Sequence, residues 1–197
     1  MRVRGDIEVE LPKLAGAGYE VVYADPNWQY YGDPNKDQAA GKHYAGMPYE
    51  AISALPVREI MAKRAALFCW VTSPLAFYQM VAISKWGLHY RGVTYVWPKT
   101  RKDGGLIAGQ GVRPTFTKPT TEYLTAWTTN ARGRPFRIYT ERQAQVHPLP
   151  RPKRHSEKPA EFRDLLVELC GERKRIELWA RVGVDGWDSI GDELEAA

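Results

Sequence analysis

An aspartate, a proline and aromatic rings stand almost together at Asp25-Pro26-Asn27-Trp28-Gln29-Tyr30. A carboxylate and a backbone carbonyl are both hydrogen-bond acceptors, and flat rings beside them can stack on a planar substrate. One class of reaction uses such a set. The exocyclic amine of a nucleobase is a poor nucleophile, because its lone pair is delocalised into the ring. Asp25 and the carbonyl of Pro26 can accept hydrogen bonds from that NH2 group and draw its nitrogen toward a tetrahedral, nucleophilic geometry. Trp28 can stack on the base once it has left the helix, as base-modifying enzymes require. The same residues also suit a purely structural Asp-Pro turn with Trp28 folded into the core.

The elements around this stretch decide where it sits. Tyr19 to Ala24 reads Y-E-V-V-Y-A, the β-branched and aromatic pattern of a buried strand. Asp25-Pro26 stops it, since proline cannot continue a hydrogen-bond ladder. The carboxylate is therefore expected just past the carboxyl end of a strand, where ligands bind in open α/β sheets. Ala65 to Val71 is a continuous apolar run suited to a strand covered on both faces. Thr72-Ser73-Pro74 starts a helix that ends near Trp86-Gly87, and Leu88 to Trp97 is a further strand. That order predicts a βαβ unit and a parallel sheet. Thr121 to Thr128 is again strand-like, Pro159 to Leu169 gives an amphipathic helix with Gly171 as its cap, and Ile176 to Ala180 a last strand. Ile7, Val9 and Leu11 alternate and suggest a short strand or loop at the front.

Length and charge narrow the partners. The chain has 197 residues, enough for one α/β domain spanning 1–197. A net charge of +5 permits a polyanionic partner, and a mixed-charge solvated surface fits it as well. From Asn130 to Arg154 the chain is basic, with Arg132, Arg134 and Arg137 among aromatic rings, a composition able to hold phosphates or to form a solvated loop. The two cysteines, Cys69 and Cys170, fall in apolar patterns without metal-ligand spacing, so no metal is expected. No early G-x-G-x-x-G is present, which argues against a nicotinamide dehydrogenase. The start has no apolar signal core and no run reaches membrane-spanning length. The expected setting is the cytoplasm, that of the host if the chain is phage-encoded, without membrane contact.

Several segments together resemble one family. D-P-N-W is similar to the D-P-P-W motif of the MT-A70 adenine-N(6) methyltransferases, which include mRNA adenine methylases and phage and bacterial DNA methylases. Tyr44, Met47 and Leu55-Pro56-Val57 follow in family order, then L-F-C-W-V-T, W-G and V-W-P-K. S-E-K-P, I-E-L-W-A-R and W-D-S-I-G-D-E complete the likeness toward the end of the chain. The resemblance implies a Rossmann-like methyltransferase fold: a mostly parallel sheet with helices on both faces, the catalytic motif preceding the C-terminal part of the cofactor site. It implies S-adenosylmethionine as cofactor, with Asp6 and Ile7 at its adenine and Asp25 near its amino acid end. Lys158 would meet its carboxylate, and Arg181, Asp192 and Glu193 its ribose. Asp25, Pro26 and Trp28 would be catalytic. Asn27, Trp28, Tyr30, Tyr44, Glu122, Arg132, Arg134 and Arg137 would contact substrate. The implied reaction is in-line methylation of a flipped adenine in DNA, with RNA methylation or a catalytically impaired nucleic-acid-binding subunit as alternatives. Nucleic acid, DNA ahead of RNA, is the expected partner, and a homo- or heterodimer is compatible with the family. Three departures stand out, the first two being Asn27 in place of the second proline and Asp192 in place of the usual asparagine. Thr120-Thr121 stands where the family carries an asparagine before Glu122.

Overall fold

The computed structural model describes residues 1–29, 46–108, 116–138, 143–154 and 157–195. Strands β1 (Arg2–Arg4), β2 (Tyr19–Ala24), β3 (Met61–Thr72), β4 (His89–Thr100), β5 (Thr121–Thr128), β6 (Leu149–Pro150), β7 (Arg175–Leu178) and β8 (Asp188–Gly191) form one sheet. Their spatial order is β1-β8-β7-β2-β3-β5-β4-β6. All run the same way except β5, which is antiparallel to both of its neighbours. This is the expected α/β fold with a mostly parallel sheet.

The helices are α1 (Ile7–Glu10), α2 (Tyr49–Ala54), α3 (Val57–Ile60), α4 (Ala76–Lys85) and α5 (Glu161–Cys170). Alternate residues of the central strands enter two separate cores. Val22 and Ala24 of β2 and Leu67 and Cys69 of β3 pack with Ile52, Ile60 and Ile83 on one face. Val21, Tyr23, Phe68 and Trp70 pack with Phe162, Leu166 and Cys170 of α5 on the other. Coverage on both faces is why these strands read as unbroken apolar runs.

Two expectations need correction. Residues 7–11 are helical, not extended. Asp6 caps α1 by accepting a hydrogen bond from the Glu8 N–H at 2.8 Å. Ile7 and Leu11, four apart, are buried while Val9 is 56% exposed, which is helical and not strand periodicity. The βαβ reading of β3, α4 and β4 has the right direction but the wrong adjacency. β5 returns between β3 and β4 and pairs with both, from Ala66↔Thr128 to Thr72↔Glu122 on one side and from His89↔Thr128 to Pro98↔Thr121 on the other. Local pattern carries strand character but not which neighbour a strand will find.

Candidate active site

Because every strand but β5 points one way, their carboxyl ends form a single edge. Asp25 follows β2 there, Lys99 lies at the end of β4, and Glu122 opens β5 against Thr72. Lys158, in the segment leading into α5, reaches the same place. Its Nζ lies 2.6 Å from Asp25 Oδ2 and 3.2 Å from Glu122 Oε2. Lys99 pairs with the other oxygen of Glu122. The order Lys99, Glu122, Lys158, Asp25 is thus an alternating row of charges, set over the rings of Trp97 and Trp70.

These charges are largely removed from water: the Lys158 side chain is 8% exposed, Glu122 10% and Asp25 20%. Burial alone would lower the pKa of Lys158, but Asp25 and Glu122 outweigh it and hold the ammonium above its ordinary pKa. Burial likewise opposes ionisation of Glu122, yet Lys158 and Lys99 together hold it below the usual carboxylate value. For Asp25 burial wins and raises the pKa. Lys158 pulls the other way, and the charge of Glu122 adds to the rise. The site therefore presents a fixed cation and a carboxylate with more proton affinity than a surface aspartate.

The neighbouring part of the edge is built from β7, β8 and the segments that leave them. Asp25, Asn27, Trp179, Arg181, Asp192 and Glu193 line one cavity. Trp179 has φ of 60°, the left-handed region that bulky residues rarely adopt, so the backbone is strained at this wall. Gly191 is required by close approach, since a Cβ there would lie 2.0 Å from the carbonyl oxygen of Ala180. Glu193 Oε2 lies 3.5 Å from Arg181 and 3.8 Å from Arg154. That oxygen is buried and accepts no hydrogen bond among the described residues.

The D-P-N-W turn is itself held. The Pro26 carbonyl accepts the Trp28 N–H at 2.9 Å, one of the two hydrogen bonds a carbonyl oxygen can take. The Trp28 indole N–H donates to the carbonyl of Trp70 at 3.2 Å, and Trp28 pairs with Met47 in an isolated bridge. Trp28 packs partly against the first core, so its ring has a structural anchorage as well as an exposed portion.

The structure brings together Asp25, Pro26, Asn27, Trp28, Glu122, Lys158, Arg181, Asp192 and Glu193. Asp6 and Ile7 stand close to this edge, since Gly5 N–H donates to Gly191 and Arg4 Nε to the carbonyl of Asp192. The Ile7 side chain is in the core, which leaves only its backbone for a ligand. Arg132, Arg134 and Arg137 are exposed and not brought here. They follow Thr128, at the far end of β5 from Glu122. Six residue steps of strand, about 20 Å, separate the two ends. Tyr30 and Tyr44, expected to contact substrate, lie outside the described residues. Lys99, which pairs with Glu122, Arg154, which faces Glu193, and Trp179, which lines the cavity, complete the site. Lys99 was visible in V-W-P-K, whereas nothing local marks Trp179 as left-handed. Glu177 is a structural acceptor, gripped by both ends of the Arg163 guanidinium at 2.7 and 2.9 Å. Among the described residues no group of histidine, cysteine and carboxylates could hold a metal ion.

A parallel α/β sheet with an acceptor-rich motif after one strand and a polar cavity over the ends of the next two has the architecture of a Rossmann-like methyltransferase. The MT-A70 family profile matches residues 19–193, and the chain belongs to that family. It is also 27% identical over 201 residues to the type II methyltransferase M.MunI of Mycoplasma sp, covering 93% of this chain and 81% of that protein. The protein is a methyltransferase.

Proposed function

We propose that the protein transfers a methyl group from S-adenosylmethionine to the exocyclic N(6) amine of adenine in DNA. The observation that carries this reading is Asp25, set at the end of β2 beside the Pro26 carbonyl and held by buried Lys158. The type II designation of the Mycoplasma relative favours DNA over RNA.

The residues present fit the cofactor. Lys158 stays charged and suits a carboxylate, while the buried, unsatisfied oxygen of Glu193 and the exposed carboxylate of Asp192 suit ribose hydroxyls. Arg181 borders the same cavity, and the first-turn backbone at Asp6 and Ile7 suits an adenine edge. When bound, the cofactor supplies an electrophilic methyl group on a sulfonium. Asp25 and the Pro26 carbonyl accept hydrogen bonds from the flipped base's amine and orient its lone pair for in-line attack, with Trp28 against the base. Asp25 need not be a strong base, because the amine proton becomes acidic only once the nitrogen carries the methyl group. Orientation and exclusion of water account for most of the acceleration in this scheme.

The test is methyl transfer from labelled S-adenosylmethionine to mixed-sequence DNA and RNA, with Asp25→Ala as control and product nucleosides identified by mass. The expected result is N(6)-methyladenine in DNA that vanishes in the variant. Methylated RNA alone would move the assignment to RNA. Absence of both product and cofactor binding would defeat the proposal.

A further inference from the structure

We propose that the amino-terminal edge of the sheet carries a second nucleic-acid site that grips phosphates at the opposite end of the strands from Asp25. Three segments meet there: 61–66 at the start of β3, 88–93 at the start of β4, and 128–138 after β5. They carry Lys63, Arg64, Arg91, Arg132, Arg134 and Arg137, and no aspartate or glutamate. All six are exposed.

The surface is built and not merely a loose charged loop. Arg64 Nε donates to the Pro135 carbonyl at 2.7 Å, and Arg91 Nε to Thr128 Oγ1 at 2.8 Å. The Thr129 hydroxyl donates to the Lys63 carbonyl at 2.9 Å. Phe136 lies 4.1 Å beneath the guanidinium of Arg173, which fixes the far side of the loop. Clustered exposed cations give this edge a positive field that favours a polyanion. A duplex offers one phosphate charge per ~1.7 Å of axis, a density that matches clustered arginines better than isolated carboxylates do. Lying about 20 Å from the base site, this edge contacts phosphates flanking the target and adds affinity without reading sequence.

The inference rests on the proposed action on nucleic acid, and the experiment separates the two. Binding of a duplex of arbitrary sequence, about 40 base pairs long, is measured over a salt series. The proteins compared are the wild type, the triple variant Arg132→Gln/Arg134→Gln/Arg137→Gln, and Lys63→Gln on a separate strand. S-adenosylhomocysteine affinity on the same samples reports that the fold and the cofactor cavity are intact. Each lost phosphate contact should reduce the slope of log K against log salt by about 0.9, so the triple variant should lose up to about 2.7 and Lys63→Gln about 0.9. A wild type that binds and methylates DNA while both variants keep its slope overturns this inference alone. A wild type that binds no nucleic acid overturns it together with the functional reading.

Discussion

Lys158 joins two carboxylates that would otherwise face each other in a place with little water, so its removal should act on stability and chemistry at once. Lys158→Met leaves Asp25 and Glu122 uncompensated and should cost about 3 kcal/mol at pH 7, read from urea denaturation. The sign with pH follows from Glu122. Its folded pKa is lowered, so its contribution is complete above its ordinary value and is lost as pH falls through the folded one. Without Lys158 the buried carboxylates take up protons at higher pH than Glu122 does in the wild type, so the gap should narrow as pH falls, and a gap independent of pH would refute the charge row. Asn27 tests the departure from the family motif. It keeps Asp25, Pro26 and Trp28 in place, with its carbonyl accepting the Met47 N–H at 2.7 Å. Asn27→Pro should stiffen the turn and preserve methyl transfer, and abolished activity would contradict that role.

Among the elements, α5 does two jobs. Its apolar stripe, Phe162, Leu166 and Cys170, seals the second core, and its leading segment delivers Lys158 to the site. Phe162 is fully buried and meets the Trp70 ring edge-on at 4.8 Å. Phe162→Ala should cost roughly 4 kcal/mol and weaken S-adenosylhomocysteine binding, because the helix that positions Lys158 loses its packing. The buried fork between Arg163 and Glu177 pins the same helix to β7. Breaking it with Arg163→Met strands a buried carboxylate and should destabilise by roughly 3–5 kcal/mol, whereas replacing both partners with apolar residues should recover much of that loss. Equal losses in single and double variants would show that the fork acts otherwise. Elements of this kind were legible in advance. The strand from Tyr19, the helix from Pro159 and its Gly171 cap all follow from local pattern, and the structure has them.

For the molecule as a whole, the polar groups inside the two cores set the limit of pH tolerance. Burial pushes the Tyr19, Tyr23 and Tyr95 hydroxyls well above the ordinary tyrosine value, with Asp188 adding to Tyr19, Glu177 to Tyr23 and Cys170 to Tyr95. A raised folded pKa means that the unfolded chain ionises first. Stability is thus complete below about pH 10 and falls as pH rises beyond it. Ultraviolet titration should show these phenols ionising together with the loss of near-ultraviolet circular dichroism. Ionisation without unfolding would count against their burial.

Sequence alone determined whatever depends on near neighbours or on residue type. That includes the strand before Asp25, the acceptor motif after it, the amphipathic helix near the end, and the ordered segments that placed the chain in its family. It also pointed to Lys158, Arg181 and Glu193, which the structure sets around Asp25. Tertiary structure decided what depends on strand order and on direction. Inserting β5 between β3 and β4 carries Glu122 to the site and sends Arg132, Arg134 and Arg137 to the other edge, although only ten residues of chain separate Glu122 from Arg132. The alternating row through Lys99, Glu122, Lys158 and Asp25 joins four segments remote in the chain. No local propensity encodes such a meeting, since it is fixed by which backbone groups find partners across the sheet.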